Sequence, residues 1–301
     1  MVLGHIMNIN EIIFFKVNDK QKLNEIIKKS AEYAFLSLPF TINRMNYGFN
    51  EISERINNIF KGEIAEELFF TFCKEKKIPI DNSKCITPYY MIDKKDFLYD
   101  NYEFDIKNNF YWDTGNFKDF IKLPALVPNR HPKDQWSKRN NSLFGKKPAF
   151  VFTFMKHGEI INGNRHNKFV KIILGDNEYN LLQEKIKQYK GIPLENEPID
   201  MKNFLDYINI RYVQNEIDYM ELIITAYATD DHFPIFRNIN GYSVNTYYYL
   251  NDPWSNWYVK SQFGAKFLNG VFFTKIINAT APIVKLPSFL SLISTNDEKI
   301  S

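Results

Sequence analysis

Hydrophobic positions recur along this chain with two periods, and the switching between them lays out an α/β order of elements. Near the N-terminus, Ile12-Ile13-Phe14-Phe15 within residues 9–17 reads as a strand. Asp19 then stands where a helix cap belongs, ahead of Leu23, Ile26, Ile27, Ala31 and Ala34 on one helical face. That helix is expected to run to about Leu36, with Pro39 ending it. From Asn50 to Lys77, the residues Ile52, Ile56, Ile59, Phe60, Ile64, Leu68, Phe69 and Phe72 repeat at helical spacing. Gly62 is a candidate break in this second helix, and Ile78-Pro79 its end. Cys85–Ile92 reads as a strand. Tyr102, Phe104 and Ile106 then alternate with Glu103, Asp105 and Lys107, the period-two signature of a half-buried strand. Phe97-Leu98-Tyr99 favours a strand as well, and Asp100-Asn101 fits a two-residue turn joining the two.

Further along, Ala149–Met155 and Phe169–Leu174 read as strands. Residues 176–190 read as an amphipathic helix carrying Tyr179, Leu181, Leu182 and Ile186. The turn-rich stretch Gly191–Pro198 is a candidate boundary. Beyond it come a short helix near Met201–Ile208, a strand at Met220–Ala228, a mostly β stretch over 233–286 and a terminal helix near Leu286–Ile293. The pattern predicts an α/β fold with a mixed central sheet flanked by helices and a β-rich C-terminal region. The organisation expected is a vector-derived leader over 1–7, a core with an N-terminal helical extension over 8–194, and a β-rich substrate-recognition or partner-binding region over 195–301. Residues 108–148 are polar, aromatic and irregular. A connection that long inside a compact domain is usually functional or disordered.

Composition narrows the classes. A chain of 301 residues, 45% hydrophobic and 24% charged, can bury one large core or two smaller ones. The net charge of +3 allows a polyanionic partner without requiring one. The 27 Phe and 18 Tyr are mostly core material, yet so many leave some for stacking on bases. The two cysteines, Cys73 and Cys85, lack metal-ligand spacing; Cys73, within a helical pattern, fits a buried thiol, and a reducing cytoplasm is the simplest setting. No run has the length and apolarity of a membrane span, so no membrane partner is expected. No P-loop is present, so no nucleotide cofactor is expected, and serine-hydrolase and zinc-protease signatures are absent.

The chemistry concentrates at Asp96–Lys107. On a period-two strand Asp105 and Lys107 share a face, and the hairpin carries Asp96 back towards them. Two carboxylates and a lysine at a sheet edge suit Mg²⁺, which takes a few carboxylates and keeps waters and phosphate oxygens; Mn²⁺ is an alternative. Asp100 competes with Asp96 for the first position, and Glu103 lies on the same strand face as Asp105.

Asp96 followed by Asp105-Ile106-Lys107 resembles the D…(D/E)xK signature of the PD-(D/E)xK, or restriction-endonuclease-like, nuclease superfamily. Lys95 stands where that signature has proline. Upstream, Gly62-Glu63-Ile64-Ala65-Glu66 is similar to the G-x-x-x-E helix that precedes the hairpin in these nucleases. The resemblance covers roughly residues 50–175. It implies Mg²⁺-dependent hydrolysis of phosphodiester bonds, with DNA as substrate, in a restriction or defence role, and a homodimer for cutting two strands. Asp96, Asp105 and the Ile106 carbonyl would hold the metal, Lys107 would orient or activate the attacking water, and Glu66 would support the metal or a water. Glu63, one turn away, competes with Glu66.

Arg130, His131, Lys133, Lys138, Arg139, Lys146 and Lys147 form a basic cluster between the DxK strand and the next strand. Arg130, Lys133, Lys138 and Arg139 are the candidate phosphate contacts, although an ordinary solvated loop has the same composition. Asn256, Lys260 and Gln262 are candidate base readers in the C-terminal region, against the alternative that this region completes the core. Two other functions remain open. The core could be a catalytically inactive nuclease fold that binds nucleic acid or protein, or the aromatic C-terminal half could bind carbohydrate.

Overall fold

The computed structural model describes residues 7–42, 52–91, 95–110, 124–128, 148–168, 170–212, 217–229, 231–232, 237–239, 246–247, 259–260 and 278–297. In chain order these give β1 (Ile13–Val17), α1 (Lys20–Thr41), α2 (Ile52–Glu75), β2 (Phe97–Tyr99), β3 (Tyr102–Phe110), β4 (Pro124–Pro128), β5 (Pro148–Ile161), β6 (Asn164–Asn167) and β7 (Ile172–Ile173). They continue through α3 (Asp176–Tyr189), β8 (Arg211–Tyr212), β9 (Tyr219–Ala228), β10 (Arg237–Ile239), β11 (Thr246–Tyr247), β12 (Val259–Lys260), β13 (Asn278–Pro282) and α4 (Phe289–Asp297).

The main sheet has the order β1-β9-β5-β3-β2, with β6 folded back on β5. Only β3 and β5 run parallel; the other pairs are antiparallel, so the sheet is mixed and the fold is α/β as predicted. One face carries the helices. Phe69 of α2 stacks on Phe97 of β2 at 5.0 Å, and Phe97 stacks on Phe104 of β3 at 4.9 Å with the ring planes nearly parallel. Around them Leu23, Ala31 and Phe35 of α1, Ile64 and Leu68 of α2, Val151 and Met155 of β5 and Leu222 and Ile224 of β9 form one buried cluster. The other face carries the small sheet β10-β13-β4. There Ala125, Val127, Ala281, Ile283 and Leu286 pack on Phe150, Phe152, Phe154, Ile223 and Ala228, and Met7 and Ile12 join them. The strand alternation that separates these two faces also separates Phe104 and Ile106 from Asp105 and Lys107.

Several expectations need correction. The helix opened by Asp19, whose carboxylate accepts from Lys22 N at 2.7 Å, runs through Pro39 to Thr41. Pro39 sits in the last turn, where it removes one backbone bond, while Leu38 and Phe40 on either side are fully buried. Gly62 does not break α2; Phe60, Ile64 and Ala65 around it are fully buried and hold the helix against a glycine cost of about 1 kcal/mol. Cys85–Ile92 forms no strand over its described residues, which turn at Asn82–Cys85 and Pro88–Met91. The hairpin edge is instead met by Asp81, whose backbone exchanges two hydrogen bonds with Leu98. Among the described residues of the stretch 169–174, only Ile172–Ile173 pairs, with β8 and outside the main sheet. The Asn57 side chain of α2 clamps Ile172 there through both its backbone groups.

The boundary at 194/195 does not close the core. β9, from beyond that point, lies in the middle of the main sheet between β1 and β5, and Phe289 of α4 packs edge-on against Phe69. A ten-residue strand buried on both faces belongs to the scaffold. The same sheet could not be assembled from residues 8–194 alone.

Candidate active site at the hairpin end

The hairpin is built as the alternation predicts. Asp100 and Asn101 both adopt left-handed backbone (φ 47° and 65°), the conformation a primed two-residue turn requires. Asp100 therefore belongs to the turn, and Asp96 is left as the first acidic position. β2 and β3 pair in the register Phe97↔Phe104, Leu98↔Glu103 and Tyr99↔Tyr102. One residue before β2, Asp96 N donates to the Phe104 carbonyl at 2.8 Å, and the Asp96 carboxylate oxygen Oδ2 accepts from Ile106 N. This carboxylate replaces the carbonyl that a longer β2 would have offered, so it extends the ladder by one step. Asp96 is 8% exposed.

Asp105 and Lys107 flank Ile106 on the face away from the helices. Lys107 Nζ lies 2.6 Å from Asp105 Oδ2, with the two side chains 15% and 13% exposed. The same ammonium stands 5.7 Å from the centre of the Phe150 ring, on the next strand. The parallel register sets Asp105 beside Phe150 and Lys107 beside Phe152, and Thr153 Oγ1 bonds Asn108 Oδ1 at 3.0 Å to tie the strands together beyond the site. The structure thus ties the Asp96 carboxylate to the Ile106 amide, and pairs Asp105 with Lys107 on either side of Ile106.

Glu66 and Glu63 are half-buried on α2, and α2 covers the opposite face of β3 through Phe69, Phe97 and Phe104. Glu67 on the same helix pairs with Lys29 of α1. The apolar side of α2 thus packs on the face of β3 opposite to the one from which Asp105 and Lys107 project.

Two neighbours add to the site. Lys95 reaches Glu103 Oε1 at 2.7 Å, and Glu103 Oε2 is buried with no hydrogen-bond partner among the described residues. Burial pushes the Cys85 thiol up; Lys95 opposes this, and Asp81, Asp96 and Glu103 add to it. Cys85 therefore sits in the same electrostatic neighbourhood, a placement that no residue spacing in the sequence signalled. Lys95 and Glu103 are not opposite each other in the hairpin register, where Glu103 faces Leu98, so their pairing is not a simple cross-strand signal.

Among the described residues, no group of three or more His, Cys, Asp or Glu side chains is gathered to hold a metal. The oxygens of the Asp96 and Asp105 carboxylates and of the Ile106 carbonyl are hard donors, of the kind that Mg²⁺ or Mn²⁺ takes in preference to softer zinc-type ligands. Arg130, Lys133, Lys138, Arg139, Asn256 and Gln262 lie outside the described residues. Of Lys260, the backbone pairs with Thr246 across β11 and β12. No helix among the described residues is long and apolar enough to cross a membrane. No family model, curated protein or solved structure matches the chain, so the functional argument rests on these residues and their geometry.

Proposed function

We propose that this chain is a divalent-metal-dependent endonuclease hydrolysing phosphodiester bonds of DNA, on a restriction-endonuclease-like core. The observation that carries the reading is the convergence of the Asp96 carboxylate, Asp105 and Lys107 about one peptide unit, Ile106. The order of parts supports it: a helix, a tight hairpin bearing the first aspartate, and a DxK strand whose next partner runs parallel. The connection to that parallel strand contains both the basic segment 130–147 and β4. β4 packs on the face from which Asp105 and Lys107 project.

In this reading Asp96 and Asp105, with the Ile106 carbonyl, bind the cation. Mg²⁺ held there would supply positive charge to the scissile phosphate and acidify a bound water. Asp96 is oriented by the Ile106 amide, so its carboxylate is fixed before any ligand arrives. Lys107 carries three donors on a side chain confined by Phe150, and it orients the attacking water or holds a phosphate oxygen. Hard oxygen donors admit Mn²⁺ as well. The restriction or defence role, a homodimer to cut both strands and a cytoplasmic setting complete the proposal. The last of these fits two buried, unpaired cysteine thiols.

A second reading is favoured by one observation: both carboxylates already have partners within the chain, the Ile106 amide and the Lys107 ammonium. A fold that binds nucleic acid without cutting it would look like this. Incubating the protein with supercoiled plasmid and with RNA, under Mg²⁺, Mn²⁺ or Ca²⁺, separates the two. Plasmid nicking with Mg²⁺ or Mn²⁺ that disappears in Asp105→Asn is the expected result. Retained binding with no cleavage of either nucleic acid under any metal would establish the binding module instead.

A further inference from the structure

The Lys107–Asp105 pair sits where a cation is wanted, and that bears on how the site is regulated. We infer that Lys107 acts as a built-in counter-ion that holds Asp105 in the resting protein, so that a divalent cation and Lys107 compete for the same carboxylate. This inference rests on the proposed metal site at Asp96 and Asp105. Its grounds are geometric. The ammonium is 2.6 Å from Asp105 Oδ2, inside contact distance for a charge-assisted hydrogen bond. Both side chains are about six-sevenths buried, so solvent screens the pair far less than a surface ion pair. The Phe150 ring at 5.7 Å confines the lysine from the neighbouring strand and favours the cation where it is. Two residues along the same face, Lys95 holds Glu103 at 2.7 Å in the same manner. Two carboxylates on one strand face are thus each matched by a lysine of the chain itself.

Two consequences follow. Metal binding must displace Lys107 from Asp105, which weakens the intrinsic affinity for the ion. The displaced ammonium then becomes available to water or phosphate, so the residue changes partner only when the ion is present. A bound nucleic acid, which offers phosphate oxygens to the released lysine, would strengthen metal binding through the same exchange.

The test measures Mn²⁺ binding to the full chain without nucleic acid, by calorimetry or by the electron paramagnetic resonance signal of free Mn²⁺. It compares the native protein with Lys107→Met, Lys107→Arg and Asp105→Asn. Lys107→Met is expected to bind Mn²⁺ roughly tenfold more tightly than the native protein, since an opposite charge at this range shifts carboxylate binding by about that factor or more. A folding defect does not raise affinity, so a gain identifies the counter-ion role. Lys107→Arg keeps the positive charge beside Asp105 and is expected to bind no more tightly than the native chain. Equal or weaker binding in Lys107→Met, with binding still lost in Asp105→Asn, would overturn the counter-ion role and leave the metal site standing. A gain in Lys107→Arg equal to that in Lys107→Met would overturn it too. If Asp105→Asn bound Mn²⁺ as well as the native protein, the proposed site itself would fall, and the counter-ion role with it.

Discussion

The two faces of β3 carry opposite kinds of residue within six positions. Towards the helices, Phe104 and Ile106 join Phe97 and Phe69 in a stack of rings and aliphatic groups with essentially no exposure. Towards the small sheet, Glu103, Asp105 and Lys107 place three charges on one face, two of them negative, each paired with an opposite charge. One face specifies where the strand lies; the other is left free for chemistry because the first has done so. The Asp96 carboxylate links them, since its bond to Ile106 N lies in the plane of the sheet between the two. A charged face on a strand whose reverse side is rigidly packed is a favourable place to hold side chains in fixed geometry.

The comparison predicts different failures on the two faces, the largest on the helix side. Phe97→Ala removes a fully buried ring from the Phe69–Phe97–Phe104 stack and is expected to cost about 3–5 kcal/mol of folding stability, read by chemical denaturation. On the charged face, Asp105→Asn keeps the shape but leaves the buried Lys107 ammonium without its counter-charge, and is expected to cost about 1–3 kcal/mol, less than Phe97→Ala. Plasmid cleavage should nevertheless fall by a factor on the order of a hundred or more, which corresponds to about 3 kcal/mol of transition-state stabilisation. If Asp105→Asn unfolded the protein as readily as Phe97→Ala, the charged face would be scaffold and not site.

The elements of the helix face were legible because local rules and packing agree there. Asp19, the helical spacing of α1 and α2, and the alternation at 102–107 each state one structure, and the fold adopts it. What misled was punctuation read in isolation. Pro39 and Gly62 are local breakers that tertiary packing overrides, and Cys85–Ile92 looked extended although Asp81 and Ser83 close an Asx turn through Ser83 N and Oγ. β5 runs past Met155 because Asn162-Gly163, with φ 50° and 78°, turns it back onto β6. The place of β9 was not legible, since nothing in a buried apolar run names its neighbours; its position between β1 and β5 is a long-range choice. The face that α2 covers was not legible for a related reason: a helix motif fixes spacing along the chain but not which side of a sheet the helix packs on.

Acid sharpens the comparison by acting first on the packed side. His157 of β5 is fully buried, and its Nδ1 accepts a hydrogen bond from Val170 N at 3.2 Å, which requires that nitrogen to be unprotonated. Burial, with Lys61 of α2 adding to it, lowers its pKa from the ordinary histidine value to about 3. The unfolded chain titrates near 6.5, so between those values it binds more protons than the folded one. Stability therefore falls as pH drops below about 6.5 and stops falling on this account near 3. The loss expected by pH 4.5 is roughly 2–3 kcal/mol, and His157→Gln should flatten it. Unfolding free energies of both proteins across pH 7 to 4.5 decide the matter; parallel curves would mean that the acid sensitivity has another origin.

The smallest expected effect is the one that tests the separation of the faces most directly. Glu66 sits on α2, behind the Phe69–Phe97–Phe104 stack, while Asp105 and Lys107 project from the far side of the strand. Replacing its carboxylate by an amide of the same size removes charge without disturbing the packing of Ala65, Leu68 and Phe69 beside it. Glu66→Gln should therefore leave plasmid cleavage within about twofold of the native rate, a change well under 1 kcal/mol. Glu103→Gln, which removes a carboxylate on the same face as Asp105 and strands Lys95, should slow cleavage more than Glu66→Gln does. The ranking of these two substitutions is informative whatever their absolute size, because both remove one negative charge and differ in which face they occupy. Cleavage lost in Glu66→Gln and kept in Glu103→Gln would mean that the helix carboxylate reaches the metal around the end of the sheet, and the division of labour between the two faces would have to be abandoned.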